Sequence, residues 1–124
     1  LSIYALCEYP DLFGAAACLS THWPHGDGMV IDWLEEHLPP AGRHRLYFDF
    51  GDQGLDAAYG PFQKRMDELM QRRGYRRDVD WQTLSFPGDG HDELYWGRRF
   101  HRPVSFLYGG PGARESSHKE EELQ

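Results

Sequence analysis

His91 is the residue whose neighbours best suit it to chemistry. It leaves a turn made by Phe86-Pro87-Gly88-Asp89-Gly90, and an amphipathic segment starts at once with Asp92 and Glu93. Pro87, Gly88 and Gly90 force a tight, irregular path. An imidazole held at the end of a strand in this way can take up and return a proton near neutral pH. It works best when a carboxylate fixes its tautomer and stabilises the imidazolium. Two acids precede it, Asp52 in the turn Gly51-Asp52-Gln53-Gly54 and Asp56 just beyond. Acid before base is the chain order of Ser-Asp-His hydrolases. Each acid also has a plainer role open to it, Asp52 in a turn and Asp56 as a helix cap.

The other reactive groups are less well arranged. Cys7 and Cys18 form no CxxC pair, and two free buried thiols in a reducing compartment, the cytoplasm, are expected. His22, His25 and Asp27 share one loop, but no HExxH or close His pair occurs among the seven histidines. Loop polar groups explain them better than a metal, and neither metal nor cofactor is expected. Ser20 ends a short apolar run without the Gly-flanked turn that exposes a nucleophile, and Ser2 lies in a helix. No G-x-S-x-G stands anywhere in the chain. The formal charge of -7 argues against a nucleic-acid partner, which requires a basic face. No run is long and apolar enough to span a membrane, and the apolar start Leu1-Ser2-Ile3-Tyr4-Ala5-Leu6 lacks the basic region of a signal peptide.

The elements that would carry these groups can be read from the pattern. The length of 124 residues suits one domain. Leu1 to Tyr9 reads as a helix with Leu1, Ala5 and Tyr9 on one face and Tyr4 beside them. It has no N-cap and starts in mid-pattern, as though its first turns lay outside the chain. Gly14 to Ser20 reads as a strand of small residues buried on both faces. Met29 to Leu38 is an amphipathic helix with Val30, Trp33 and Leu34 inward. Arg43 to Phe50 is a strand, with Leu46, Phe48 and Phe50 on one face. Asp56 to Arg73 gives the strongest helical signal, from Tyr59, Phe62, Met66, Leu69 and Met70, with Gly74 as its C-cap. Val79 to Phe86 is the third strand. Asp92 to Arg102 is helical, Pro103 kinks or restarts it, and Val104 to Tyr108 packs back on the sheet. Residues 109–124 are expected to be a disordered acidic tail.

This alternation predicts an α/β fold, a parallel sheet of about three strands layered with helices. Its sites belong at the carboxyl ends of the strands, in the loops Ser20 to Asp27, Gly51 to Asp56 and Pro87 to His91. So few parallel strands suggest part of a larger sheet, completed by a missing N-terminal half or by another copy in a homo-oligomer.

The chain resembles the putative-esterase branch of the α/β-hydrolase superfamily, which includes enterochelin-esterase-like and feruloyl-esterase-like enzymes. The resemblance rests on Tyr4-Ala5-Leu6, Tyr9-Pro10-Asp11-Leu12-Phe13-Gly14-Ala15 and Leu19-Ser20-Thr21-His22-Trp23. It continues through Tyr47-Phe48-Asp49-Phe50-Gly51, Leu55-Asp56 and Tyr59, then Gly88, His91-Asp92-Glu93, Trp96, Arg99 and Pro103. It implies that residues 1–108 form the C-terminal half of an α/β-hydrolase fold. It implies a serine-type carboxylic-ester hydrolase acting on a small-molecule ester through an acyl-enzyme. His91 would be the base and Asp56 the acid, with Asp52 the alternative, while His22 and Trp23 would line the pocket. The family's nucleophile elbow sits just before the helix corresponding to Leu1 to Tyr9, so the chain would carry the His and Asp but not the Ser or its oxyanion donors. A truncated, non-catalytic module that self-associates through its sheet edge is the alternative.

Overall fold

The structure is a computed structural model and describes residues 1–109. The tail expected over 109–124 therefore lies, apart from Gly109, outside the described residues. Three strands, β1 (Ala15–Leu19), β2 (Arg45–Phe50) and β3 (Trp81–Ser85), form one sheet in the order β1-β2-β3. Both pairings are parallel, with Ala17 opposite Tyr47 and Tyr47 opposite Gln82. Among the described residues five α-helices accompany them: α1 (Ser2–Glu8), α2 (Met29–His37), α3 (Tyr59–Arg72), α4 (Glu93–Arg99) and α5 (His101–Tyr108). The expected α/β layering is present. None of the described helices is long and apolar enough to cross a membrane.

The sheet separates two cores. The larger holds Leu6, Leu34, Leu46, Phe48, Met66, Leu69 and Met70, from α1, α2, α3 and β2. The smaller holds Tyr47, Leu84, Phe106 and Leu107, where α5 covers the other face. β2 runs between them, so Leu46, Tyr47, Phe48 and Asp49 are all buried. A central parallel strand has no solvent face, so Asp49 must find partners inside the protein.

Several expected faces and boundaries shift. On α1 the buried residues are Ile3 and Leu6, while Leu1, Tyr4 and Tyr9 are exposed. A seven-residue helix offers two overlapping apolar stripes, and periodicity cannot choose between them over two turns. α2 turns Ile31 inward in place of Val30 for the same reason. β1 buries Ala16 and Cys18 fully but leaves Ala15, Ala17 and Leu19 half-covered, so one face is closed and the other partly open. β3 begins at Trp81 because Arg76 to Asp80 folds into a turn, with the Arg76 N–H on Asp80 Oδ2 at 2.8 Å. Asp56 precedes α3 in a 3₁₀ turn, Gly54–Ala58.

Gly74, with φ +85, receives the end of α3 as expected. The Tyr75 N–H returns to the Met70 carbonyl at 3.0 Å, which closes the last turn. The last helical stretch breaks at Phe100, before Pro103, rather than at it. Proline has no N–H to give the Arg99 carbonyl, so it ends the preceding helix and is accommodated in the first turn of the next.

Candidate active site

All three strands deliver polar groups at their carboxyl ends. Ser20 follows β1 directly, Gly51 to Asp56 follow β2, and Phe86 to His91 follow β3. The last two loops are clamped together. The Asp89 carbonyl accepts the N–H groups of Asp52 and Gln53, both at 3.0 Å. A Cβ on Gly51 would lie 2.0 Å from that carbonyl oxygen, so only glycine permits the approach. Asp52 adds a second tie, its Oδ1 accepting from the Gly88 N–H at 2.8 Å and from Gln53 Nε2 at 2.9 Å. These bonds hold its carboxyl below the usual carboxylate range. Asp52 is exposed and has no contact with His91 among the bonds it makes.

Asp56 is the acid that reaches His91. Its Oδ1 lies 3.0 Å from His91 Nδ1. Its Oδ2 accepts from Ser20 Oγ at 2.6 Å and from the Gly51 N–H at 2.7 Å. The carboxylate is 1% exposed, and each oxygen has a donor. It makes no side-chain cap bond to α3. Because a carboxylate can only accept, Nδ1 of His91 carries the proton. Nε2 has no hydrogen-bond partner among the described residues. The ring packs edge-on against Trp96, 5.0 Å between centroids, and against Tyr59 at 6.0 Å.

Tyr59 joins two imidazoles. Its hydroxyl lies 3.3 Å from His91 Nδ1 and 2.8 Å from His22 Nδ1. With the His91 proton directed at Asp56, the Tyr59 O–H is free to donate to His22 Nδ1. Burial, followed by the nearby Asp56 charge, pushes the phenol up to about 12, so it remains protonated.

Behind the pair stands a buried arginine. Arg99, 3% exposed, donates to Asp49 Oδ2 from Nε at 3.0 Å and to Asp49 Oδ1 from Nη2 at 2.9 Å. It also donates to Asp89 Oδ2 and to Ser20 Oγ, both at 2.9 Å, and its guanidinium lies 4.8 Å from the Phe86 ring centroid. Burial pushes the Asp49 carboxyl up, against the pull of Arg99, the Tyr47 hydroxyl and the Ser20 N–H. Burial also works against the Arg99 charge, but its carboxylate partners outweigh it and hold the guanidinium protonated. One cation thus ties β2, the loop after β1 and the His91 turn.

His22 and Trp23 separate. His22 is exposed and, with Ser2, Ser20, His91 and Trp96, lines a cavity of about 400 Å³. Trp23 does not line it: it is 1% exposed, lies 6.0 Å from Phe48 in the larger core, and gives its indole N–H to Gln63. An indole after a strand carries more apolar area than polar function, and the core takes it. His22, His25 and Asp27 do not converge, and no group of three or more potential metal ligands exists among the described residues.

The sequence singles out Tyr59 and Ser20, one as a core position of a helix and the other as a strand end, but assigns neither a role at the site. The one available signal was the acid at Asp49, set in an otherwise apolar strand, which demands a buried cation such as Arg99. The chain matches no family model, no curated protein and no solved structure.

Proposed function

We propose that this chain carries the general base and the orienting acid of a serine-type carboxylic-ester hydrolase, with His91 as base and Asp56 as acid. In this reading residues 1–108 are the C-terminal half of an α/β-hydrolase fold. The nucleophilic serine and its oxyanion donors lie outside these 124 residues. The observation that carries the reading is the 3.0 Å contact between Asp56 Oδ1 and His91 Nδ1, with Nε2 left unpartnered on a ring that borders the cavity.

The chemistry follows from that arrangement. Nε2 takes the serine proton as the oxygen attacks the ester carbonyl, and Asp56 stabilises the imidazolium. His91 then gives the proton to the departing alcohol, leaving an acyl-serine. Water, deprotonated by the same Nε2, cleaves the acyl group as the free acid and restores the serine. No cofactor takes part. Leu1 and Ser2 also line the cavity, so a serine delivered at the amino end of α1 would meet His91 there. The free thiols of Cys7 and Cys18 suit a reducing compartment such as the cytoplasm.

The test is hydrolysis of a short-chain aryl ester by this chain and by a form extended upstream of Leu1. Activity in the extended form that falls at least ~10³-fold with His91→Ala is the expected result. Activity in the 124-residue chain that survives loss of Ser2 and Ser20 but not of His91, or an extended form indifferent to His91→Ala, would overturn the reading.

A second reading is favoured by one observation: among the described residues β1 is an edge strand, paired only with β2. An open parallel edge invites pairing with another copy, which would make the chain a non-catalytic, self-associating module. Sedimentation distinguishes the two. A cooperatively folded monomer would sink the module reading.

A further inference from the structure

We infer that Ser20 is a positioning residue of the proposed site, its hydroxyl joining Arg99 and Trp96 to Asp56 so that the carboxylate is held against His91. The inference rests on the reading of His91 and Asp56 as base and orienting acid.

Proton inventory gives the direction of every bond. Ser20 Oγ has three neighbours: Arg99 Nη2 at 2.9 Å, Trp96 Nε1 at 3.0 Å and Asp56 Oδ2 at 2.6 Å. Guanidinium and indole nitrogens can only donate. Both lone pairs of the hydroxyl are therefore occupied, and its single proton has one destination, Asp56. Two donors pulling on the oxygen strengthen the bond that it donates. The hydroxyl is thus a fixed donor, unable to serve as a nucleophile while these contacts stand.

The joint is also rigid. Arg99 is anchored by Asp49 and Asp89, and Trp96 packs edge-on against the His91 ring. Elements that hold both members of the pair therefore meet at one oxygen. Ser20 is 2% exposed, and its N–H is bound to Asp49 Oδ1 at 3.0 Å. Its φ is +48, a left-handed conformation that costs a non-glycine residue free energy and persists where surrounding contacts determine it. Glycine would suit that backbone better. A serine there is explained by the hydroxyl.

This makes the experiment clean. Ser20→Ala keeps the Cβ and the backbone strain but removes the hydroxyl. Ser20→Gly removes both, and the left-handed backbone favours its folding. The readout is the tautomer of the His91 imidazole, from its two side-chain ¹⁵N resonances at alkaline pH. In both variants the ratio of Nδ1–H to Nε2–H tautomer is expected to fall roughly fivefold, with cooperative melting retained. Folded variants that keep the wild-type ratio would overturn the assignment, as would a fall in Ser20→Ala that Ser20→Gly reverses.

The wild-type protein gives an independent readout. The Ser20 hydroxyl proton should exchange slowly with water and couple across the hydrogen bond to the Asp56 carboxyl carbon. A rapidly exchanging proton contradicts the proposal without any variant. None of these spectra requires activity, so an extended form that hydrolyses no ester would sink the hydrolase reading and leave the role of Ser20 to be decided on its own.

Discussion

The two ends of the sheet treat charge in opposite ways. At the carboxyl ends, Asp49, Asp56 and Arg99 are buried, and hydrogen bonds to protein groups occupy them. At the amino ends lies a larger cavity of about 570 Å³, lined by Gly14, Arg43, Arg45, Arg76 and Tyr108. The arginines there reach water, while Asp80, one of their partners, is itself buried. Arg76 pairs with Asp80 at 3.1 Å with the arginine side chain 69% exposed, and His44 Nδ1 is buried with no partner. The size of a cavity is therefore a poor guide to chemistry here. The smaller cavity has on its wall two imidazoles, His22 and His91, whose ring nitrogens are bonded to Tyr59 and Asp56. The larger is lined by Arg43 and Arg76, both exposed, and its one buried carboxylate, Asp80, is taken up by Arg76 alone. A buried ionic network is retained where several loops must be held in one arrangement, which is a structural use of charge rather than a large net gain in stability.

The largest expected difference between the ends is in stability. Arg99→Met strands the Asp49 and Asp89 carboxylates and should cost about 3–5 kcal/mol, read by urea unfolding. Asp49→Asn combined with Arg99→Met should cost less than Arg99→Met alone, because the uncompensated charge is gone. Arg76→Ala at the other end should leave the melting temperature nearly unchanged. Equal losses from Arg99→Met and Arg76→Ala would erase the distinction between the ends.

A second difference concerns the thiols. Burial pushes Cys7 up to about 11 and Cys18 up to about 12. Both thiols therefore stay protonated at neutral pH, and a thiolate-selective disulfide reagent should label the folded chain roughly a hundredfold more slowly than the unfolded one. Cys18, fully inside the sheet, should be the slower. Fast labelling of Cys18 in the folded state would contradict its placement under α1.

The smallest effect is at the latch between the two site loops. The carboxyl of Asp52 titrates below its unfolded value of about 3.9. A depressed folded value means that the contribution to stability is present above the unfolded value and is lost as pH falls through the folded one. The Gly88 amide resonance, bonded to Asp52, should therefore move with a midpoint below about 3.9. A midpoint at or above that value would mean that the latch is open in solution.

How much of this was legible follows a physical division. Strands, crossovers and the three site-bearing loops were readable because apolar periodicity and Gly/Pro turns are local signals. The choice between Asp52 and Asp56 was not, since both sit in one short loop and only the path through the 3₁₀ turn aims Asp56 inward. The buried face of α1 was not legible either, because it depends on what the helix packs against. The resemblance implied a pocket-lining Trp23, whereas its apolar area takes it into the core. Ser20 after β1, Asp49 on β2, and Trp96 and Arg99 on α4 come together from three parts of the chain, with Ser20 29 to 79 residues from its partners, and no local pattern encodes such a meeting.

The central claim is that Asp56 fixes the His91 ring with Nε2 bare. The direct measurement is the ¹⁵N spectrum of the His91 imidazole at alkaline pH, in the wild-type chain and in Asp56→Asn. The account predicts a wild-type ring protonated at Nδ1 and bare at Nε2. It predicts the reverse in Asp56→Asn, whose amide can donate to Nδ1 and select the wrong tautomer. A wild-type ring protonated at Nε2, or a tautomer indifferent to Asp56→Asn, would contradict it.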